Sequence, residues 1–475
     1  CAMCHDHKYD PLTQRDFYSL SAFFNNIDAK PETTRATKNG LQPPYVSLAT
    51  PEQRGELAGL EAEMARATKG IGTAKKSAEA EQDPEQKKQL LAAVKEREAA
   101  LKTLSGKKAR LQQAVPHAMV MRERKEIRPA HVMKRGQYDD PGELVTRDTP
   151  EFLPALKKAG ETATRMDLAE WFVDPENPLT ARVAVNRFWQ QFFGVGLVKT
   201  SEDLGAQGEV PSHPELLDHL AVSFIESGWD IKKLVREIVM SRTYRQSSVA
   251  APDDHGKDPE NRLLARGSRY RMDAEMIRDQ ILATSGLLAE GRYGGPSVKP
   301  PQPDGLWKAV TMTGERFKPD RGEDIYRRSV YTYWKRAMPP PQMTILNAPI
   351  RDACTARRER TNTPSQALML LNENEYFKAA RALAQQALSI DVTSDEQRLN
   401  HVYETVTSRL PDTSERATFD ELLADLKTAY AGNPPLAKEL AAGLDAASAG
   451  DLAELAAWTV VVNTIYNLDI TKTRD

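Results

Sequence analysis

The residues best suited to chemistry stand at the front of the chain, where Cys1, Cys4 and His5 form the pentapeptide Cys-Ala-Met-Cys-His. The spacing C-x-x-C-H is that of c-type haem attachment. Two thiols three positions apart reach the vinyl groups on one porphyrin edge, and the imidazole of the next residue then lies under the iron as an axial ligand. Two other readings compete. In one, Cys1, Cys4 and His5 or His7 hold zinc; such a site takes a second ligand pair from a distant stretch, and the remaining cysteine, Cys354, stands alone among arginines. In the other, Cys1 and Cys4 are reduced thiols or a strained local disulfide, and His5 and His7 cap a turn before Asp10-Pro11.

A second concentration of chemistry is Arg351, Arg357, Arg358 and Arg360, four arginines within ten positions. Guanidinium forks pair with carboxylate, sulfate or phosphate, and the helix opening after Thr363-Pro364 would add an N-terminus to an anion site. Asp352 and Glu359 offer local partners, so a structural ion-pair network is the alternative. Cys354 as a nucleophile would need a base, and no histidine lies near it in sequence. No P-loop, G-x-G-x-x-G, G-x-S-x-G or H-E-x-x-H occurs, and the carboxylates are spread too evenly to single out a catalytic pair. Whether the chain is an enzyme stays open.

The elements that position these residues are mostly helical. At 475 residues the chain exceeds one ordinary domain. With 65 basic and 67 acidic residues there is no global field pointing to nucleic acid or a membrane surface. No stretch approaches the run of about 18 apolar residues that a transmembrane helix requires. Three cysteines exclude a disulfide framework. Without an initiator methionine the chain reads as a fragment whose leader is not in view.

After the pentapeptide, Pro11–Tyr18 starts a short helix whose Phe17, Leu20, Phe23 and Phe24 make an apolar face, and a Pro/Thr/Asn-rich loop follows from Lys30 to Thr50. From Pro51 to Val115 apolar residues alternate spacings of three and four: Leu57, Leu60, Met64, Ala67, Ile71, Ala74 and Ala78, then Leu90, Val94, Leu101, Leu104, Leu111 and Val115, with Arg97 and Lys108 in the two remaining seam positions. Asp83-Pro84 divides the run, which predicts an antiparallel coiled-coil hairpin. Runs at His117 and Pro129 predict a small antiparallel β element.

From Met166 helices dominate: Asp167–Asp174, Thr180–Phe193 ended by Gly194, one opened by a capping box over Ser212–Glu215, one from Ile231, and one over Arg271–Leu288 with Met276, Ile277, Ile281 and Leu282 inward. The segment 291–349 is rich in Gly and Pro, with Ser329–Trp334 alternating like a buried strand. Thr363–Gln366 and Ser394–Gln397 repeat the capping pattern, and helices run to about Gln386, then over Glu396–Arg409, Glu415–Tyr430, Leu436–Ala447 and Leu452–Leu468, joined by short connections as in an antiparallel bundle. The fold class expected is mainly α: a helical domain with an inserted antiparallel coiled-coil hairpin and a small β element.

Several of these stretches together resemble a known pair of domains. Cys1-Ala-Met-Cys-His-Asp-His-Lys-Tyr-Asp-Pro looks like the closing motif of the planctomycete cytochrome-like domain called PSCyt. Asn177–Gly194, Pro211–Asp218, Ser241–Ser248 and Arg357–Leu368 are similar to its companion, the PSD domain. On that resemblance, residues 1–50 are the end of a PSCyt domain, 51–115 the hairpin, 116–165 a β-rich linker and 166–475 the PSD-type helical domain. It implies an exported, periplasmic or otherwise extracytoplasmic protein associated with sulfatases and polysaccharide breakdown, with haem c on Cys1 and Cys4 and His5 as the iron's axial ligand. The first expectation is therefore electron transfer or redox coupling to a protein partner. The second is a non-haem accessory protein that binds anionic or sulfated polysaccharide through the arginine loop. Neither sets the oligomeric state.

Overall fold

The structure is a computed structural model that describes residues 1–28, 44–249, 252–303, 305–309, 317–392, 394–441 and 451–474. It divides into two compact units, Cys1–Asp174 and Pro175–Asp475. Most of the predicted Lys30–Thr50 loop and the end of the predicted Leu436–Ala447 helix lie outside the described residues.

In the first unit, helix α1 (Gln14–Ser21) opens on a capping box in which Thr13 and Asp16 satisfy each other's backbone amides. It is shorter than its aromatic pattern implied. Phe23 is buried just past its end, and with Leu20 packs on Ala163, Leu168 and Trp171, whereas Phe17 and Phe24 are exposed. Strand β1 (Tyr45–Ser47) then leads into α2 (Pro51–Ala80) and α3 (Pro84–Ala114), the hairpin the spacing predicts. Proline at the first helical position suits both starts, because its missing N–H is one the helix cannot use. Thr50 and Asp83 cap the free amides. The two polar seam positions bridge the arms: Arg97 donates to the Gly70 carbonyl at 3.2 Å, and Lys108 pairs with Glu61 at 2.8 Å.

Strand β2 (His117–Met119) pairs antiparallel with β1, clasping the base of the hairpin, so the two β-leaning runs do not pair with each other. The second run, β3 (Ala130–Met133), pairs with β4 (Pro141–Val145) across a turn at Lys134–Gly136. Helix α4 (Arg165–Val173) supplies Leu168 and Trp171 to the small core.

The second unit has two cores. Helices α5 (Thr180–Phe193), α6 (Pro214–Glu226) and α7 (Ile231–Met240) bury Val185, Trp189, Leu220, Phe224, Leu234 and Ile238 together. The capping box expected at Ser212 does not form. Pro214 occupies the first helical position, which makes His213 the cap residue, and it offers the helix no side-chain hydrogen bond. The Ser212 hydroxyl lies 3.0 Å from His213 Nδ1 instead. Short helices α8 (Arg242–Arg245) and α9 (Pro252–Lys257) lead to β5 (Tyr270–Arg271) and α10 (Ala274–Thr284). Ile277, Ile281 and Leu282 point inward as predicted, but Met276 is 43% exposed.

The Gly/Pro-rich segment contains no strand at Ser329–Trp334. Asp279, 50 residues away in the chain, accepts from both the amide and the hydroxyl of Ser329, at 2.7 and 2.6 Å, and Ser329–Tyr331 winds into a 3-10 turn with Val330 exposed. Helices α11 (Pro341–Ile345), α12 (Pro364–Asn372), α13 (Asn374–Ser389), α14 (Asp395–Thr407), α15 (Thr413–Ala431), α16 (Pro434–Leu440) and α17 (Leu452–Tyr466) build the larger core. The helices expected to run to about Gln386 are α12 and α13, which reaches Ser389, and they are divided at Glu373, whose extended backbone and carboxylate cap α13. Helix α17 is apolar nearly all round, which requires neighbours on every side. Trp458, Val461, Val462 and Ile465 are fully buried, and Ala379, Ala380 and Ala384 of α13 let the two helices approach closely. A last turn, α18 (Asp469–Lys472), leads into β6 (Thr473–Arg474), which pairs with β5.

Candidate functional site

Cys1–His5 is a tight turn: the amides of Cys4 and His5 both donate to the Cys1 carbonyl, at 2.9 and 3.2 Å. Both thiols are exposed and unbridged. The ring Nδ1 of His5 lies 2.7 Å from the Asp6 carbonyl. A carbonyl can only accept, so Nδ1 carries the proton and the lone pair is on Nε2, which has no partner among the described residues. His7 behaves differently. Its Nδ1 accepts from the Asp10 amide at 3.0 Å and its own amide donates to the Leu12 carbonyl, so His7 holds the turn before Pro11. The Asp10 carboxylate also lies 3.1 Å from that nitrogen. The Asp10 amide can only donate, so in that contact Nδ1 is the acceptor.

The turn is seated on its own unit. The Gln14 side-chain amide donates to the carbonyls of Met3 and Met133 at 3.0 and 2.8 Å, and the Tyr18 hydroxyl also donates to Met3 at 3.0 Å. Gln14's backbone amide donates to the Asp6 carboxylate at 2.7 Å. Gly136 has φ +74° and closes against the pentapeptide so tightly that a Cβ there would lie 2.8 Å from Cys4 Sγ. Burial, and then the neighbouring Cys4, push the Tyr18 hydroxyl above its ordinary pKa. Gln14, Tyr18 and Gly136 carry no sequence signal as supports, because their contacts are made only once β3 folds beside α1. Among the described residues no three His, Cys, Asp or Glu side chains converge as a metal cluster. Cys354 belongs to the second unit, where it is exposed and free.

The arginine loop is arranged in the opposite way. Arg358 pairs with Glu275 at 2.5 Å and approaches Asp273 at 3.7 Å. Arg360 donates to the Gly194 carbonyl at 2.5 Å, lies 3.8 Å from Asp273 and stacks over Tyr270. Arg357 pairs with Glu202 at 2.9 Å. Arg351 lies over the Trp334 ring and 3.9 Å from Glu275. The main partners are thus Asp273, Glu275 and Glu202 from distant stretches, while Asp352 turns to Arg336. These contacts tie the loop to the N-terminus of α10.

The residue that sequence patterning missed most clearly is Arg278. It is completely buried, donates to both oxygens of Glu375 at 2.8 and 2.5 Å, and also donates to the carbonyls of Arg327 and Ile325. Glu373 beside it is pushed above the usual carboxylate range by burial and by the Glu375 charge. The signal was faint: an arginine on the apolar face of α10 reads as a solvated charge until its partner is known.

Two family descriptions match this chain. "PSD1: Protein of unknown function (DUF1553)" matches residues 164–423, and "PSCyt2: Protein of unknown function (DUF1549)" matches residues 1–29. No curated protein and no solved structure matches. Among the described residues no helix is long and apolar enough to cross a membrane.

Proposed function

Since this chain belongs to the PSD1 family of proteins of unknown function, we propose that its chemistry resides outside the matched helical region, in a haem c attachment site made by Cys1, Cys4 and His5. The observation that carries this reading is the contrast within one turn: two exposed thiols and an imidazole whose Nδ1 is committed to a carbonyl while Nε2 is left free. Iron-bound histidines commonly donate their other ring nitrogen to a carbonyl in this way, which fixes the tautomer.

The donor set fits the group. Cys1 and Cys4 would hold the haem covalently through their sulfurs, and His5 Nε2 would ligate its iron. When bound, haem supplies a one-electron couple. The chain's own contribution is orientation: the Asp6 carbonyl holds the His5 ring, and Gln14 and Tyr18 hold Met3 between the cysteines. The function proposed is redox or electron transfer, with the helical unit as scaffold or partner surface. An extracytoplasmic location and a link to polysaccharide breakdown accompany this proposal on the strength of the resemblance to PSCyt and PSD.

The test is a haem-stained gel and a reduced pyridine haemochrome spectrum of protein matured in a host that makes c-type cytochromes. A haemochrome α band is expected, and Cys1→Ser with Cys4→Ser should abolish covalent staining. Absence of the band from the unaltered protein would end the electron-transfer assignment.

A further inference from the structure

The second unit holds a cavity of about 220 Å³ behind the arginine loop, lined by Trp189, Phe193, Gly194–Leu197, Ser268, Tyr270 and Arg360, with Glu260, Arg262 and Arg269 among its charged groups. We propose that this cavity binds a hydroxylated ring carrying one carboxylate or sulfate. The inference is independent of the haem assignment.

Its walls are aromatic and rigid. Trp189 and Phe193 stack at 4.0 Å, and Tyr270 is clamped between Arg360, 4.5 Å above its ring, and Gly194, where a Cβ would lie 2.9 Å from Tyr270 Cδ1. The Tyr270 hydroxyl donates to the Gln191 carbonyl, and burial pushes its pKa up to about 12, so this wall stays neutral. The volume falls below that of a drug-sized site and admits a single small ring.

Backbone and guanidinium donors are left over at this cavity. The carbonyls of Gly194, Gly196 and Leu197 are already taken, by Arg360 and by the two arms of Arg262. The amides of Val195, Gly196 and Leu197 meet no acceptor among the described residues, although Gly196 and Leu197 are buried. Buried amides are nearly always paired, and a run of unpaired ones receives an anion. Arg360 Nε is likewise buried without a hydrogen-bond partner, its nearest carboxylate being Asp273 at 3.8 Å. Glu260 is held by Lys199 and Arg269 by Asp469, each at 2.8 Å, which leaves Arg262 and Arg360 as the lining cations outside those pairs. Ser268 also lines the cavity, and its hydroxyl suits a ring hydroxyl. The anion site that the arginine spacing suggested therefore moves from the exposed face of the loop, where the guanidiniums are paired, to the cavity behind Arg360.

Calorimetric titration of the full chain with glucuronate, glucose 6-sulfate and glucose tests this. Glucuronate or glucose 6-sulfate should bind with a dissociation constant of about 1 mM or below, and glucose at least tenfold more weakly; which anionic sugar binds identifies the acid group. Ser268→Phe fills the cavity at a half-buried position and should abolish binding with the melting temperature retained, and Arg360→Gln should weaken it about tenfold or more. No binding by any of the three, equal binding by all three, or unchanged binding by the folded Ser268→Phe variant would overturn the proposal.

Discussion

The N-terminal turn and the arginine loop both looked reactive in the sequence, and they treat their polar groups in opposite ways. In the loop, Arg357, Arg358 and Arg360 each meet a carboxylate or carbonyl brought from a distant stretch. In the turn, the backbone is pinned through Met3 and Asp6, while both thiols and one imidazole nitrogen remain unused. A charged group that the fold itself supplies with a partner is structural first. A group held in place but left unpartnered is ready for something else.

Breaking the paired charges should therefore cost stability, and altering the turn should cost very little. The largest effect belongs to Glu375→Gln, which leaves Arg278 buried with a weakened partner. Denaturant unfolding should show a loss of about 3 kcal/mol, the lower end for a broken buried pair because Asp279 lies 3.9 Å away. Next is Arg358→Ala, which frees Glu275 and loosens the loop from α10; about 1–2 kcal/mol is expected from thermal melts. An unchanged melting temperature would mean the loop's ion pairs are ornamental and its arginines are available to ligands.

A smaller effect sharpens the comparison through pH. Glu415 is held down to about 2, chiefly by hydrogen bonds from Arg409 at 2.7 and 2.6 Å. A carboxylate whose pKa falls on folding adds stability above its ordinary value, and that share disappears as pH drops from about 4.5 toward 2. Arg409 is 41% exposed, so solvent screening limits the pair to about 1 kcal/mol or less. Glu415→Gln should flatten this part of the stability profile without changing it at neutral pH beyond that amount. The smallest effect is His5→Ala, within about 0.5 kcal/mol in the haem-free protein, because the ring's one bond is to the adjacent residue's carbonyl. A larger loss would make His5 a structural residue.

The helical framework was legible because it is local. The hairpin's three-four rhythm, its division at Asp83-Pro84, and the Thr363–Gln366 capping box all appear as read. What failed depended on partners far away in the chain. Ser329–Trp334 alternates as a strand does, yet Asp279 winds its start into a turn. The arginines were expected to choose between solvent anions and near neighbours, and they found Asp273, Glu275 and Glu202. The pentapeptide was visible at once from its spacing, but the seat beneath it was not, since Gln14 reaches a carbonyl 119 positions away. Spacing along the chain reports which groups share a turn. It carries no information on what folds against them.

The most direct test of the account is the intact mass of the protein matured with c-type cytochrome machinery, before and after Cys1→Ser with Cys4→Ser. The account predicts the mass of the polypeptide plus one haem, retained under denaturation and lost in the double variant. An unmodified polypeptide mass with both thiols open to alkylation would contradict it.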